Sequence, residues 1–132
     1  MMVPKVRQRI RRNSKKWYPK EFFCFLLGRV TKSAIWIEDI WIPPDLEAFS
    51  TKYCVEIPEK WWQEVANGPL LMVGDYHSHP DWQTCALSEE DQDHIQAVKS
   101  ILNTPFIIGI GGVYKNKETK QIRCRTRFWP YA

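Results

Sequence analysis

The 132-residue sequence predicts a single α/β domain. Three observations carry that expectation. Apolar runs of strand length alternate with segments of helical period, no internal repeat or low-complexity linker divides the chain, and a 44% hydrophobic composition suffices for one buried core. The chain is too short for an eight-stranded α/β barrel, which needs about 250 residues.

Residues 1–20 hold eight basic residues and no acid, and Val3, Val6, Ile10 and Trp17 recur at near-helical spacing. A basic amphipathic helix therefore opens the chain as an arm of the domain formed by residues 21–132. EFFCFLLGRV (21–30) reads as a buried strand, closed by Gly28 and a polar TKS. AIWIEDIWI (34–42) is a second strand, rich in β-branched and aromatic residues and stopped by Pro43 and Pro44. A loop then leads to a short strand, KYCVEI (52–57). PEKWWQEVANG (58–68) predicts a helix with proline in its first turn and glycine past its end. PLLMVGDYHSH (69–79) is the central strand, and SEEDQDHIQAVKSIL (88–102) a helix with a serine start and an acidic first turn. PFIIGIGGVYK (105–115) and KQIRCRTRFW (120–129) form a closing hairpin across NKET. In its second strand Ile122, Cys124, Thr126 and Phe128 alternate with Arg123, Arg125 and Arg127, a charged outer face that resists edge-to-edge pairing.

Charge and cysteine usage bound the function. The net charge of +4 divides into a strongly basic start and a remainder of net −4. The basic start followed by FFCFLL imitates a secretory signal, but six apolar residues without a small-residue cleavage site do not make one. No run approaches the roughly 18 apolar residues of a membrane span. Cys24, Cys54, Cys85 and Cys124 lie far apart with no CxxC pair and read as mostly buried thiols of a reducing compartment. These features predict a soluble, cytoplasmic protein with no membrane partner. The arm reads as a solvated helix face or as an electrostatic handle for an acidic partner or nucleic acid; no nucleic-acid motif accompanies it, so it carries no function of its own.

The chemistry concentrates in GDYHSHP (74–80), which holds two of the three histidines. Residues i and i+2 of a strand share a face, so His77 and His79 can aim at one ion with Zn–N bonds of about 2.0–2.1 Å. A catalytic zinc takes a third protein ligand, and Asp91 at the start of the next helix is the nearest suitable group. Ser88 with an acid three residues on also reads as a capping box. His94, one turn after Asp91, reads as a surface helix histidine, because a fourth protein ligand would close the site. Other HxH chemistries fit worse: HSHPDW lacks the histidine of an HxHxDH motif, and neither PCxxC nor HExxH is present.

HSHP followed by SEED resembles the JAMM motif of the MPN (JAB-domain) metalloproteases, of the prokaryotic stand-alone type. The upstream glutamate of that motif corresponds to Glu21 in YPKEFFCFLLG, seven residues before Gly28, with Cys24 where the family often has glycine. The resemblance implies a JAB/MPN-type, cytidine-deaminase-like mixed sheet flanked by helices, with zinc at the end of the central strand. It implies zinc held by His77, His79 and Asp91, proton transfer by Glu21, and an oxyanion contact from Ser88. The implied activity is isopeptide or peptide cleavage after the C-terminal tail of a ubiquitin-like protein, in a bacterial conjugation or antiviral-defence pathway. Activating- and conjugating-enzyme homologues are the further partners it implies. Trp82 would flank the tail or cover its own loop. The competing readings are a non-catalytic MPN-like scaffold and a basic adaptor that binds nucleic acid through its arm. One departure bears on the ligands: PDWQTCAL puts eight residues between His79 and Ser88 where the family usually has seven. Rigid counting would select Glu90 and Leu87; an insertion near Asp81–Thr84, anchored by CALS, keeps Asp91 and Ser88.

Overall fold

Five runs rich in β-branched and aromatic residues pair into one mixed sheet in the computed structural model, which describes residues 1–101 and 105–131. The strands are β1 (Phe23–Val30), β2 (Ile35–Trp41), β3 (Leu71–Pro80), β4 (Phe106–Lys115) and β5 (Ile122–Tyr131), in the order β2-β1-β3-β4-β5. Only β3 and β4 are parallel, and helix α4 (Glu89–Ile101) makes the crossover between them. β3 is therefore central, and the crossover brings the start of α4 back to the β3 end that carries the histidines. This is the expected mixed sheet flanked by helices.

Alternation along the strands separates two layers of core. On one face Phe22 and Tyr76 lie ring to ring with centroids 6.1 Å apart, and the Ser14 and Tyr76 hydroxyls share a 2.7 Å hydrogen bond. That bond ties helix α1 (Pro4–Trp17) to the sheet, beside its buried Val6 and Ile10. On the other face Phe23 stacks on Trp61 of helix α3 (Glu59–Ala66), and Phe25 meets Trp62 edge-on. Farther along that face Ile95 and Val98 of α4 pack on Phe106, Ile108 and Ile110.

At Gly74 the central pair closes tightly: a Cβ there would lie 2.0 Å from the carbonyl oxygen of Ile107, its partner across the parallel ladder. Backbone cannot swing aside as a side chain can. Gly74→Ala is expected to cost about 3 kcal/mol, the upper part of the range for overpacking, read as a lowered urea midpoint with unchanged m-value.

Some expectations are corrected. Residues 52–57 form no strand; the segment makes one isolated bridge, Ser50 to Val55, and the Thr51 hydroxyl accepts from the N–H groups of Tyr53 and Cys54. A side chain bonding its own backbone offers an alternative to the ladder. The preceding loop contains a one-turn helix, α2 (Leu46–Phe49), whose Leu46 enters the core. In α1 the buried stripe is Val6, Ile10 and Ser14, while Val3 is exposed just before the helix. Of the four cysteines, all free, only Cys24 is buried and Cys54 is exposed. Arg123, Arg125 and Arg127 are exposed on the edge strand β5, as expected. Helix α4 ends its described part at Ile101, so the expected last residue, Leu102, lies outside the described residues. Among the described residues no helix is long and apolar enough to cross a membrane.

Candidate metal centre

His77 and His79 stand on one face of β3, with ring centroids 4.9 Å apart. Between them Ser78 points to the opposite face. Its hydroxyl accepts from the Phe22 N–H at 2.8 Å, and its own N–H donates to the Phe22 carbonyl at 2.9 Å. The residue between the histidines thus fastens the start of β1 to the end of β3 and sets Glu21 beside them. Loop residues pin Glu21 from the other side: its N–H donates to the Thr51 carbonyl, and the Ser50 hydroxyl donates to its carbonyl. One donor atom from each of Glu21, His77 and His79 lies within 4.8 Å of the others.

The Asp91 carboxylate spans the pair. Its Oδ1 lies 2.7 Å from Nε2 of His77 and its Oδ2 2.9 Å from Nε2 of His79. Two imidazole nitrogens and a carboxylate facing one another are the donor set of a zinc-type ion. Tetrahedral bonds of about 2.0–2.1 Å hold ligand atoms roughly 3.4 Å apart, so each imidazole needs to part from the carboxylate by only about 0.5–0.7 Å to admit one. The residues fit the ion. Oδ2 of Asp91 also accepts from the Ser88 N–H at 2.8 Å, while the Asp91 N–H donates to the Ser88 hydroxyl oxygen at 3.0 Å. Ser88 therefore caps α4 reciprocally with Asp91, and among the described residues no acceptor takes its hydroxyl proton. Glu90, next in sequence, is exposed and bonds to neither histidine, although it borders the groove.

The electrostatics follow from burial and these contacts. Burial opposes ionisation of Asp91, but the hydrogen bonds from His77 and His79 outweigh it and hold the carboxyl well below the usual carboxylate range. Burial likewise disfavours a charged His77, and the Asp91 hydrogen bond and charge reverse that, raising its pKa. Glu21 is pushed up to about 7, first by burial, against the pull of His77 and with the negative charges of Asp91 and Glu90 adding to the rise. A carboxyl poised there can exchange a proton near neutral pH.

Two concavities meet at the site, sharing Glu21, Tyr53, His79 and Glu90. The first continues past His77, His94 and Val55, the second past Trp82, Asp81 and Ser88. Together they make a groove that runs by the histidines between the 51–57 segment and α4. Trp82 stacks on the His79 ring at 4.2 Å and borders this groove, so it covers the histidine and flanks the channel at once. The loop after His79 runs close over β4, where a Cβ on Gly112 would meet the Trp82 and Thr84 carbonyl oxygens at 2.7 and 2.5 Å.

The sequence reading missed one pair. Asp75, two residues before His77 and on the same face, is buried; its Oδ2 lies 2.7 Å from Nε2 of His94, and its Oδ1 has no partner. His94 is thus no free surface histidine. Its nitrogen is committed to Asp75, whose hydrogen bond and charge raise the imidazole pKa against the effect of burial. The signal was an acid inside an apolar strand with a histidine one turn along the packing helix. His94→Ala would orphan both Asp75 oxygens and is expected to destabilise the fold by about 3 kcal/mol in urea titrations. Asp75→Val in that background should recover part of the loss, because it removes the orphaned charge.

A family model described as prokaryotic homologs of the JAB domain matches residues 3–128. The solution structure of protein DSY2949 from Desulfitobacterium hafniense is similar with a TM-score of 0.59 and 16% identity, covering 95% of this chain and 80% of that one. At that identity the likeness is one of fold. The crystal structure of AF2198, a JAB1/MPN domain protein from Archaeoglobus fulgidus, gives a TM-score of 0.49 at 19% identity, covering 94% of this chain and 86% of that chain. Among curated proteins none matches in sequence.

Proposed function

The chain belongs to the family of prokaryotic homologs of the JAB domain, and on that premise we propose that it is a zinc-dependent peptidase or isopeptidase acting after the extended C-terminal tail of a ubiquitin-like protein. The observation that carries the reading is the Asp91 carboxylate between the two Nε2 atoms, with the Glu21 carboxyl alongside. His77, His79 and Asp91 would hold the ion and leave one position open, the pattern of catalytic zinc sites. Zinc bound there supplies a Lewis acid that acidifies water and polarises a carbonyl.

The chain's own groups supply the rest. Glu21 takes the proton of the attacking water on a carboxylate oxygen and returns it to the departing amine. Ser88 donates its unclaimed hydroxyl proton to the carbonyl oxygen as that atom becomes negative. Trp82 holds the His79 ring in place. The isolated bridge at Val55 leaves that residue's own N–H and C=O unbonded among the described residues. An extended tail in the groove could pair with them as an added strand. In the cell such an enzyme would act with activating- and conjugating-enzyme homologues in a bacterial conjugation or antiviral-defence pathway.

Elemental analysis of protein purified without chelator, followed by incubation with ubiquitin-like proteins fused or isopeptide-linked through their tails, tests the proposal. About one zinc per chain and cleavage directly after the tail are expected. Metal-free protein would sink the ligand set. Fully loaded protein that leaves every such substrate intact would instead favour the non-catalytic scaffold.

A further inference from the structure

The charges of this chain are segregated along its length. Residues 1–20 and 119–132 together carry twelve of the nineteen basic residues and no acid, whereas all fifteen acids lie between them with the other seven cations. The fold brings the two acid-free ends together. Helix α1 packs against β5, its Arg7 guanidinium standing 5.6 Å from the Phe128 ring centroid. Arg11 and Lys15 lie close enough to Cys124 of β5 to act on its thiol electrostatically. Cys124, Thr126 and Phe128 are the residues of β5 that alternate inward toward α1; Arg123, Arg125 and Arg127 are exposed on the opposite side of the same edge strand. β5 has a neighbour on one side only, so cations flank an open sheet edge from both faces.

Little inside the molecule neutralises them. Of the twelve, only Arg9, at 2.8 Å from Asp39, and Lys20, at 3.9 Å from Glu47, meet a carboxylate among the described residues. The pairs Arg7 and Arg11, Arg11 and Lys15, and Arg12 and Lys16 repel one another at helical i, i+4 spacing. A helix that carries such repulsion unrelieved is suited to an external polyanion.

We propose that the α1–β5 edge is a binding surface for double-stranded nucleic acid, held through its phosphates without reading of the bases. Spacing favours this partner. Alternate strand residues lie about 6.8 Å apart, the axial rise of two nucleotides on one strand, and i, i+4 helix residues about 6 Å apart. Composition disfavours the others. A helix that inserts into a lipid surface buries an apolar face there, and that of α1 is occupied by the sheet. A protein partner needs aromatic or aliphatic anchors at the centre of its patch, and the exposed residues of α1 from Lys5 to Lys16, with Arg123, Arg125 and Arg127 of β5, are all basic or polar. The proposal is independent of the metal centre, which faces the groove between α4 and the 51–57 segment.

The test is fluorescence anisotropy of a labelled 20-base-pair duplex of arbitrary sequence, titrated with the full chain at several salt concentrations. Neutralisation of five to eight phosphates predicts a slope of log K against log salt of about −4.5 to −7. Arg123→Gln/Arg125→Gln/Arg127→Gln should flatten that slope by about 2.7, and Arg11→Gln/Arg12→Gln/Lys15→Gln by a similar amount. All these side chains are exposed, and circular dichroism checks that the fold is kept. A slope near zero would overturn the proposal, as would a β5 variant indistinguishable from the parent. Equal affinity at matched salt for polyglutamate or for phosphatidylserine vesicles would overturn the assignment to nucleic acid.

Discussion

Asp91→Ala is expected to strip the protein of its metal, while Glu90→Ala leaves metal content nearly unchanged. The two residues are neighbours on α4 and differ by about 100° around its axis, so one backbone register cannot present both to the same ion. Asp91 is 5% exposed, with its oxygens committed to His77, His79 and the Ser88 N–H. Glu90 is exposed and touches neither histidine. Loss of an outer-shell partner typically weakens a metal site 10–100-fold, and loss of a direct ligand among three should exceed that. Chelator competition against a zinc indicator measures the difference. The reverse pattern, zinc lost with Glu90 and kept without Asp91, would shift the helix by one position. It would then also withdraw Ser88 from the oxyanion role, because its contact with the carbonyl depends on the same register.

What the sequence disclosed and what it hid divide along a physical line. His77 and His79 were legible because their convergence is local, a matter of strand geometry alone. The strands β1 to β4 were legible as apolar runs bounded by polar or proline stops, and β5 as an alternation of inward residues with arginines. Asp91 was visible only as one of two candidates, since a loop of uncertain count lies between it and the histidines. The three-dimensional return of α4 to the end of β3 is what sets it between the two rings. Asp75 and His94 form a contact across two elements; the acid inside an apolar strand was a local sign, but which partner it meets is set only by the packing of α4 on β3. Residues 52–57 have strand-like composition yet remain outside the sheet, because a strand exists only where a partner's ladder is free to receive it. The single turn at Leu46–Phe49 is shorter than any periodicity can reveal. The exposure of Cys54 was likewise beyond reach, because composition assigns no positions.

Glu21→Gln is expected to retain the metal and the fold and to lose about 10²–10⁴-fold in turnover of a tail-fused substrate, the usual contribution of a general acid–base group. The fold should hold because Glu21 is positioned by its backbone. Its N–H reaches the Thr51 carbonyl, its carbonyl takes the Ser50 hydroxyl, and the next residue is clamped to Ser78 in both directions. An amide of the same shape disturbs none of these bonds. It also removes a carboxyl that burial already pushes up to about 7, so thermal stability should stay level or rise slightly. What the amide cannot do is carry a proton between water and a leaving amine. Metal content must be measured beside the rate, because Glu21 sits within the same 4.8 Å cluster as the histidines. A Gln variant that loses zinc together with activity would make Glu21 a ligand, and one that turns over at the parent rate would leave proton transfer to another group.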